Sequence, residues 1–292
     1  MNFIKKIFLT TIIFSIIMSL SPVFVGCPSK PIVEETSLVE ETTPIKEATS
    51  EETITTKEAT EETTSTEEIT GEAIIEEKKE IPPEGYWEIS FKTDDGIDIE
   101  GRLFGTGENG VILAHMYPAD QESWKDFALL LTQKGYSVLT FNFRGYGKSG
   151  GKKEISLIYK DVFAAYDLLK DEGIEDIILI GASMGGTAVL KVAAQRDVAG
   201  VISMSGPLNW KEMGLSAEEE MELIEEPKLF LASEGDGSAL NSAKLMHELS
   251  IEPKQLEIYS GSEHGTNMFL GAEGEKVKQD IISFIEKNLP VK

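Results

Sequence analysis

Apolar and polar residues alternate along Trp87-Glu-Ile-Ser-Phe-Lys92, break at Asp94-Asp-Gly96, and alternate again along Ile97-Asp-Ile-Glu-Gly-Arg-Leu-Phe104. A period of two on either side of an Asp-Gly turn predicts an antiparallel hairpin. Beyond it the pattern changes to short, largely apolar runs at 111–114, 136–141, 177–180, 198–203, 228–232 and 255–259. Helical spacing fills most of the intervals, with helices expected near Ser123–Lys134, Ile155–Lys170, Met184–Ala193, Ala239–Leu249 and Glu275–Asn288. Between residues 203 and 228 lies an acidic excursion, Lys211 to Glu226. An antiparallel entry followed by alternating strands and helices predicts an α/β domain. Its eight strands would form a mostly parallel sheet covered by helices on both faces. Reactive groups in such sheets gather at the carboxyl ends of the strands.

Upstream of residue 86 the chain has a different character. Lys5 and Lys6 precede an apolar stretch running to about Leu20, and Val23-Phe-Val-Gly leads into Cys27, the only cysteine. A charged start followed by an apolar run is the layout of an export signal. The small residue before the cysteine makes it resemble a bacterial lipoprotein signal. That resemblance implies a signal peptide over residues 1–26, lipid on Cys27 and attachment to a membrane in the cell envelope. An ordinary secretory signal or an uncleaved anchor is the alternative. With one cysteine, no intramolecular disulfide can form.

Residues 27–85 are rich in Glu and Thr and poor in apolar side chains, with a slipped repeat at Lys46-Glu-Ala-Thr and Lys57-Glu-Ala-Thr. Too little apolar surface is available there to offset chain entropy, which predicts a disordered tether. As a flexible coil it would reach roughly 40–45 Å. Residues 28–85 hold 17 acidic and 5 basic groups, while the first 27 carry a net +2. Of the formal charge of −24, this leaves −14 for residues 86–292. That balance argues against a nucleic-acid partner.

The candidate chemistry sits at Ile177-Ile-Leu-Ile-Gly-Ala-Ser-Met-Gly-Gly-Thr-Ala-Val-Leu190, where a strand pattern ends at Gly181-Ala-Ser183-Met-Gly185 and a helix pattern starts at once. G-x-S-x-G in a strand–turn–helix context is a nucleophile elbow: the glycines permit a sharp bend that lifts the serine hydroxyl out of the sheet. Gly147-Lys-Ser149-Gly-Gly151 also fits the five-residue pattern, but Lys152-Lys-Glu follows it and no helix opens there. Ser183 is therefore the candidate nucleophile, and a structural serine in a turn is the alternative.

Residues 86–292 resemble the α/β-hydrolase superfamily. Four landmarks carry the resemblance: the loop after the third strand, the Arg144-Gly-Tyr-Gly-Lys-Ser149 loop after the fourth, the elbow, and an acid-then-histidine order beyond it. It implies the α/β-hydrolase fold, with a short cap over about Leu208 to Glu226, and a Ser183–Asp236–His264 triad. Glu234 is the rival to Asp236. A serine hydroxyl needs an adjacent base, imidazole has a suitable pKa, and a carboxylate behind it fixes the tautomer. Of the other two histidines, His247 falls in a helical stretch, and His115 occupies a loop-shaping position. The resemblance also places the oxyanion hole at the N–H groups of Met184 and Met116. Where the family usually has glycine this chain has Met116, whose side chain is expected to crowd the acyl site with Tyr117 or to fill a gap. Asn209, Trp210 and Met213 are expected at the rim, and Arg144 is expected to hold the active-site loops by ion pairing, with substrate contact as the alternative.

Other chemistries find no footing. Gly147-Lys-Ser149 lacks the glycine a phosphate loop needs, since position 142 is Asn. No spacing suggests a metal site, and no G-x-G-x-x-G follows a strand, so no cofactor is expected. The sequence points to an exported serine hydrolase acting on a small-molecule carboxylic ester. Peptidase, thioesterase and acyltransferase chemistry on the same triad stay open, as does a non-catalytic surface-binding lipoprotein.

Overall fold

The computed structural model describes residues 82–291; the expected signal peptide, Cys27 and the Glu/Thr-rich stretch through residue 81 lie outside them. Residues 82–85 form a turn closed by Gly85 N–H donating to Pro82 O at 2.8 Å. The hairpin follows as β1 (Tyr86–Lys92) and β2 (Asp98–Phe104), paired antiparallel from Tyr86 opposite Phe104 to Lys92 opposite Asp98.

Six further strands complete the main sheet: β3 (Gly110–Ala114), β4 (Ser137–Phe141), β5 (Ile177–Ala182), β6 (Gly200–Met204), β9 (Lys228–Ser233) and β10 (Lys254–Tyr259). Their order is β1-β2-β4-β3-β5-β6-β9-β10. β2 joins β4 antiparallel, and every pairing from β4 to β10 is parallel. Every residue of β3, β4, β5, β6 and β9 is buried. Burial on both faces explains why these runs are nearly continuous in apolar residues, whereas β1 alternates.

The side-chain period of two divides each strand between two cores. Ile112, Leu139, Leu179, Val201 and Phe230 pack beneath α2 (Tyr159–Asp171), α3 (Met184–Ala193) and α4 (Gly237–Leu249). Leu113, Val138, Ile178, Ile180 and Ile202 pack beneath α1 (Lys125–Gln133) and α5 (Gly274–Asn288). The sheet is thus covered on both faces, as the alternating pattern predicts.

The short cap region contains a two-residue hairpin, β7 (Asn209–Trp210) with β8 (Leu215–Ser216), closed by Gly214 at φ 65°. It is anchored to the body of the domain. Leu215, Ala217, Met221 and Ile224 enter the core beside α3 and α4. From α3, Lys191 donates to Ser216 O at 2.9 Å and pairs with the Glu220 carboxylate.

Candidate active site

Ser183 occupies the single residue between β5 and α3, with φ 51° and ψ −120°. A positive φ in a residue with a Cβ costs on the order of 1–3 kcal/mol and persists where neighbours over-determine it. Here Ser183 N–H donates to Met204 O at 2.8 Å, and Ser183 O accepts from Thr187 N–H at 3.3 Å. The flanking glycines serve close backbone approach. A Cβ on Gly181 would lie 2.2 Å from Gly185 O, and one on Gly185 would lie 2.5 Å from Ala114 O. The elbow pattern is therefore demanded by the main chain of α3 riding over the ends of β3 and β5.

Asp236 lies immediately before α4, beyond the end of β9, and accepts a hydrogen bond from His264 Nδ1 at 2.8 Å. Glu234, the rival carboxylate, is exposed, and its N–H donates to Tyr259 O at 2.8 Å. The partner of the histidine is Asp236. His264 follows β10 and opens a 3-10 helix at Gly265–Leu270. Gly265 has φ 56°, and a Cβ there would stand 3.3 Å from Ala182 Cβ. The residue after His264 thus lies against the residue before Ser183. Among the described residues, Ser183 Oγ and His264 Nε2 make no hydrogen bond, so the hydroxyl and the outward ring nitrogen are both uncommitted. Such contacts often tighten only in the substrate complex.

Met184 N–H, at the first residue of α3, and Met116 N–H, just past β3, likewise have no acceptor among the described residues. The Met116 side chain is buried and faces the histidine turn: its Sδ accepts from Thr266 Oγ1 at 3.6 Å. That contact fits the gap-filling reading, while Tyr117 stands more than half exposed. Trp210 is partly buried on β7 and packs against the core, and Met213 is exposed.

The remaining candidates have structural partners. His115 is fully buried, with Nε2 accepting from Phe143 N–H at 3.1 Å and Nδ1 at 2.9 Å from Met116 O. Burial pushes its pKa down to about 4, so the ring is neutral and both nitrogens are occupied. It ties the loop after β3 to the loop after β4. Ser149 Oγ donates to Asn142 O at 2.7 Å and accepts from Glu100 N–H at 2.9 Å. His247 is partly buried on α4.

Arg144 is buried, with Nε donating to Asp161 at 2.8 Å and its terminal nitrogens to Asp95 at 2.9 and 3.1 Å. Its guanidinium holds the Asp95 carboxyl well below the usual range, while burial pushes Asp161 upward. Arg144 thus ties the β4 loop to α2 and to the β1–β2 turn. Neither aspartate carries a local sequence signal that names it as a partner. Among the described residues, no group of three His, Cys, Asp or Glu side chains could hold a metal ion.

A mostly parallel eight-stranded sheet, helices on both faces, and a serine turn between β5 and α3 define the α/β-hydrolase fold. The family model described as serine aminopeptidase, S33 matches residues 108–217, from just before β3 through the hairpin. An esterase of Pyrococcus furiosus superposes with a TM-score of 0.63 at 19% identity, covering 70% of this chain and 91% of its own. A monoacylglycerol lipase of Paleococcus ferrophilus gives 0.57 at 20% identity, over 65% and 99%. At these identities the likeness is one of fold. Among curated proteins, a carboxylesterase of Bacillus subtilis is 26% identical over 114 residues, 37% of this chain and 45% of that one. A Synechocystis sp. protein with a provisional non-heme chloroperoxidase name is 34% identical over 102 residues, and the match spans only 36% of its length.

Proposed function

We propose that this protein is an exported serine hydrolase that cleaves carboxylic esters through an acyl-enzyme. The observation that carries the reading is the His264–Asp236 hydrogen bond at 2.8 Å on a turn whose next residue rests against Ala182, the neighbour of Ser183. Asp236 holds the tautomer with the proton on Nδ1, so Nε2 is the base. Ser183 Oγ attacks the ester carbonyl while Nε2 takes its proton, and the resulting oxyanion is met by the N–H groups of Met184 and Met116. Collapse breaks the C–O bond, and the imidazolium returns its proton to the departing alcohol. Water, deprotonated by the same nitrogen, then releases the acid and Ser183. The short anchored cap suits small or exposed acyl groups.

The full-length protein should be labelled at Ser183 by a fluorophosphonate. Ser183→Ala should lose labelling and at least about 10⁴-fold of p-nitrophenyl acetate turnover while keeping its circular dichroism. Absence of an adduct on the folded wild type would remove the reading and leave a binding module on a hydrolase scaffold. The aminopeptidase description of the matched family favours a second reading, peptide hydrolysis on the same triad. Turnover of aminoacyl p-nitroanilides faster than of matched esters would select it.

A further inference from the structure

The turn that follows His264 is gripped at three adjacent strand ends. β3, β5 and β6 are neighbours in the sheet, and β5 carries Ser183 at its tip. On the β3 side, Met116 Sδ accepts from Thr266 Oγ1 at 3.6 Å, and a Cβ on Gly265 would come within 2.7 Å of the same sulfur. Beneath lies Ala182, 3.3 Å from that position. On the β6 side, Ser205 Oγ donates to Met268 Sδ at 3.7 Å. All four of Met116, Ser205, Thr266 and Met268 are buried. Ser205 takes φ 51°, and it and Ser183 are the two non-glycine residues with positive φ among the described residues. A strained residue of this kind reports surroundings that hold it there.

We propose that Met116 couples the two halves of the site, its N–H facing the oxyanion and its side chain seating the His264 turn over Ser183, with Ser205–Met268 as the second grip. This rests on the reading of Ser183 and His264 as nucleophile and base. The thioether is a weak acceptor, so its contribution is chiefly shape: an unbranched, polarisable chain fills the space that Gly265 leaves open. Its side chain is a positioning group and touches no reacting atom. Displacing a base by about 1 Å costs roughly 10²-fold in rate, so the effect falls on kcat.

The test uses the full-length protein, p-nitrophenyl acetate, and the downfield NMR resonance of the proton shared by His264 Nδ1 and Asp236. Met116→Ala retains the N–H and removes the thioether. It should lower kcat by about 10- to 100-fold, leave KM within about twofold, and broaden or abolish the resonance. Met116→Leu, which refills the volume, should recover kcat to within about threefold. Unchanged kcat and an unchanged resonance in Met116→Ala overturn the proposal. Should that variant not fold, Thr266→Val combined with Ser205→Ala takes its place: loss of the resonance and of kcat supports the clamp, and retention of both overturns it. Failure of the wild type to take a fluorophosphonate would instead overturn the hydrolase reading, and the resonance in these variants would still decide the clamp.

Discussion

Ser149 and Ser183 share the same five-residue pattern, and their surroundings differ. Ser149 Oγ bridges Glu100 N–H and Asn142 O, and so ties β2 to the loop after β4. Removing it strands two largely buried backbone groups, each with a desolvation penalty of about 1–3 kcal/mol. Ser149→Ala should therefore lower unfolding free energy by roughly 2 kcal/mol in urea titrations, with little change in p-nitrophenyl acetate turnover. Turnover falling by orders of magnitude at unchanged stability would reverse the two assignments. Ser183 lacks any such bond among the described residues. It also holds a backbone conformation that its side chain disfavours. A hydroxyl left unspent on a strained turn is what a nucleophile needs.

Elements meet at this site through polar groups that no local pattern exposes. His115 fastens the loop after β3 to that after β4 while remaining neutral. Its folded pKa of about 4 lies below the ordinary 6.5, so the unfolded chain binds the extra proton between those values. The stabilisation is complete above about pH 6.5 and is lost as pH falls through about 4, a contribution on the order of 3 kcal/mol. Urea unfolding at pH 7 and pH 4.5 should show a larger loss of stability on acidification in wild type than in His115→Gln. Equal losses would mean that the ring is charged in the folded state.

The legible part of the fold is what a period of two or 3.6 records. Strands and helices lie within a few residues of where alternation and helical spacing put them, because burial imposes the period. The start of α1 differs: Gln121–Trp124 forms a 3-10 turn capped by Asp120. The acidic excursion reads as a cap because of its place between the sixth and seventh strands, and its apolar residues also complete the core. Met116 and Thr266 meet across 150 residues, a pairing that only the assembled sheet creates. Motif and order name Ser183, Asp236 and His264 as candidates, and the structure joins the last two by a 2.8 Å hydrogen bond. The family spacing already prefers Asp236 to Glu234, and the structure agrees: Asp236 meets the imidazole while Glu234 is exposed.

At the scale of the whole molecule, the expected attachment at Cys27 is a proposal that labelling and fractionation can test. The domain itself supplies no span: among the described residues, no helix is long and apolar enough to cross a bilayer. Attachment, if it is through Cys27, adds about 0.8 kcal/mol for each buried methylene, and stable anchoring takes more than one acyl chain. Residues 28–85 carry a net −12 over 58 residues, a denser negative charge than the −14 spread over residues 86–292. An anionic membrane surface would repel a segment of that charge. Metabolic labelling with a fatty-acid precursor in a bacterial host should mark the wild type and spare Cys27→Ser. The variant should move from the membrane to the soluble fraction with unchanged p-nitrophenyl acetate turnover. The two readouts separate the claims: equal labelling of both proteins removes the anchor, whereas altered turnover in the released variant would show that anchoring reaches the site. Because Cys27 is 156 residues from Ser183 and outside the domain that forms the elbow, an anchor there should, on the proposed reading, change which esters the protein meets and leave the rate of cleavage alone.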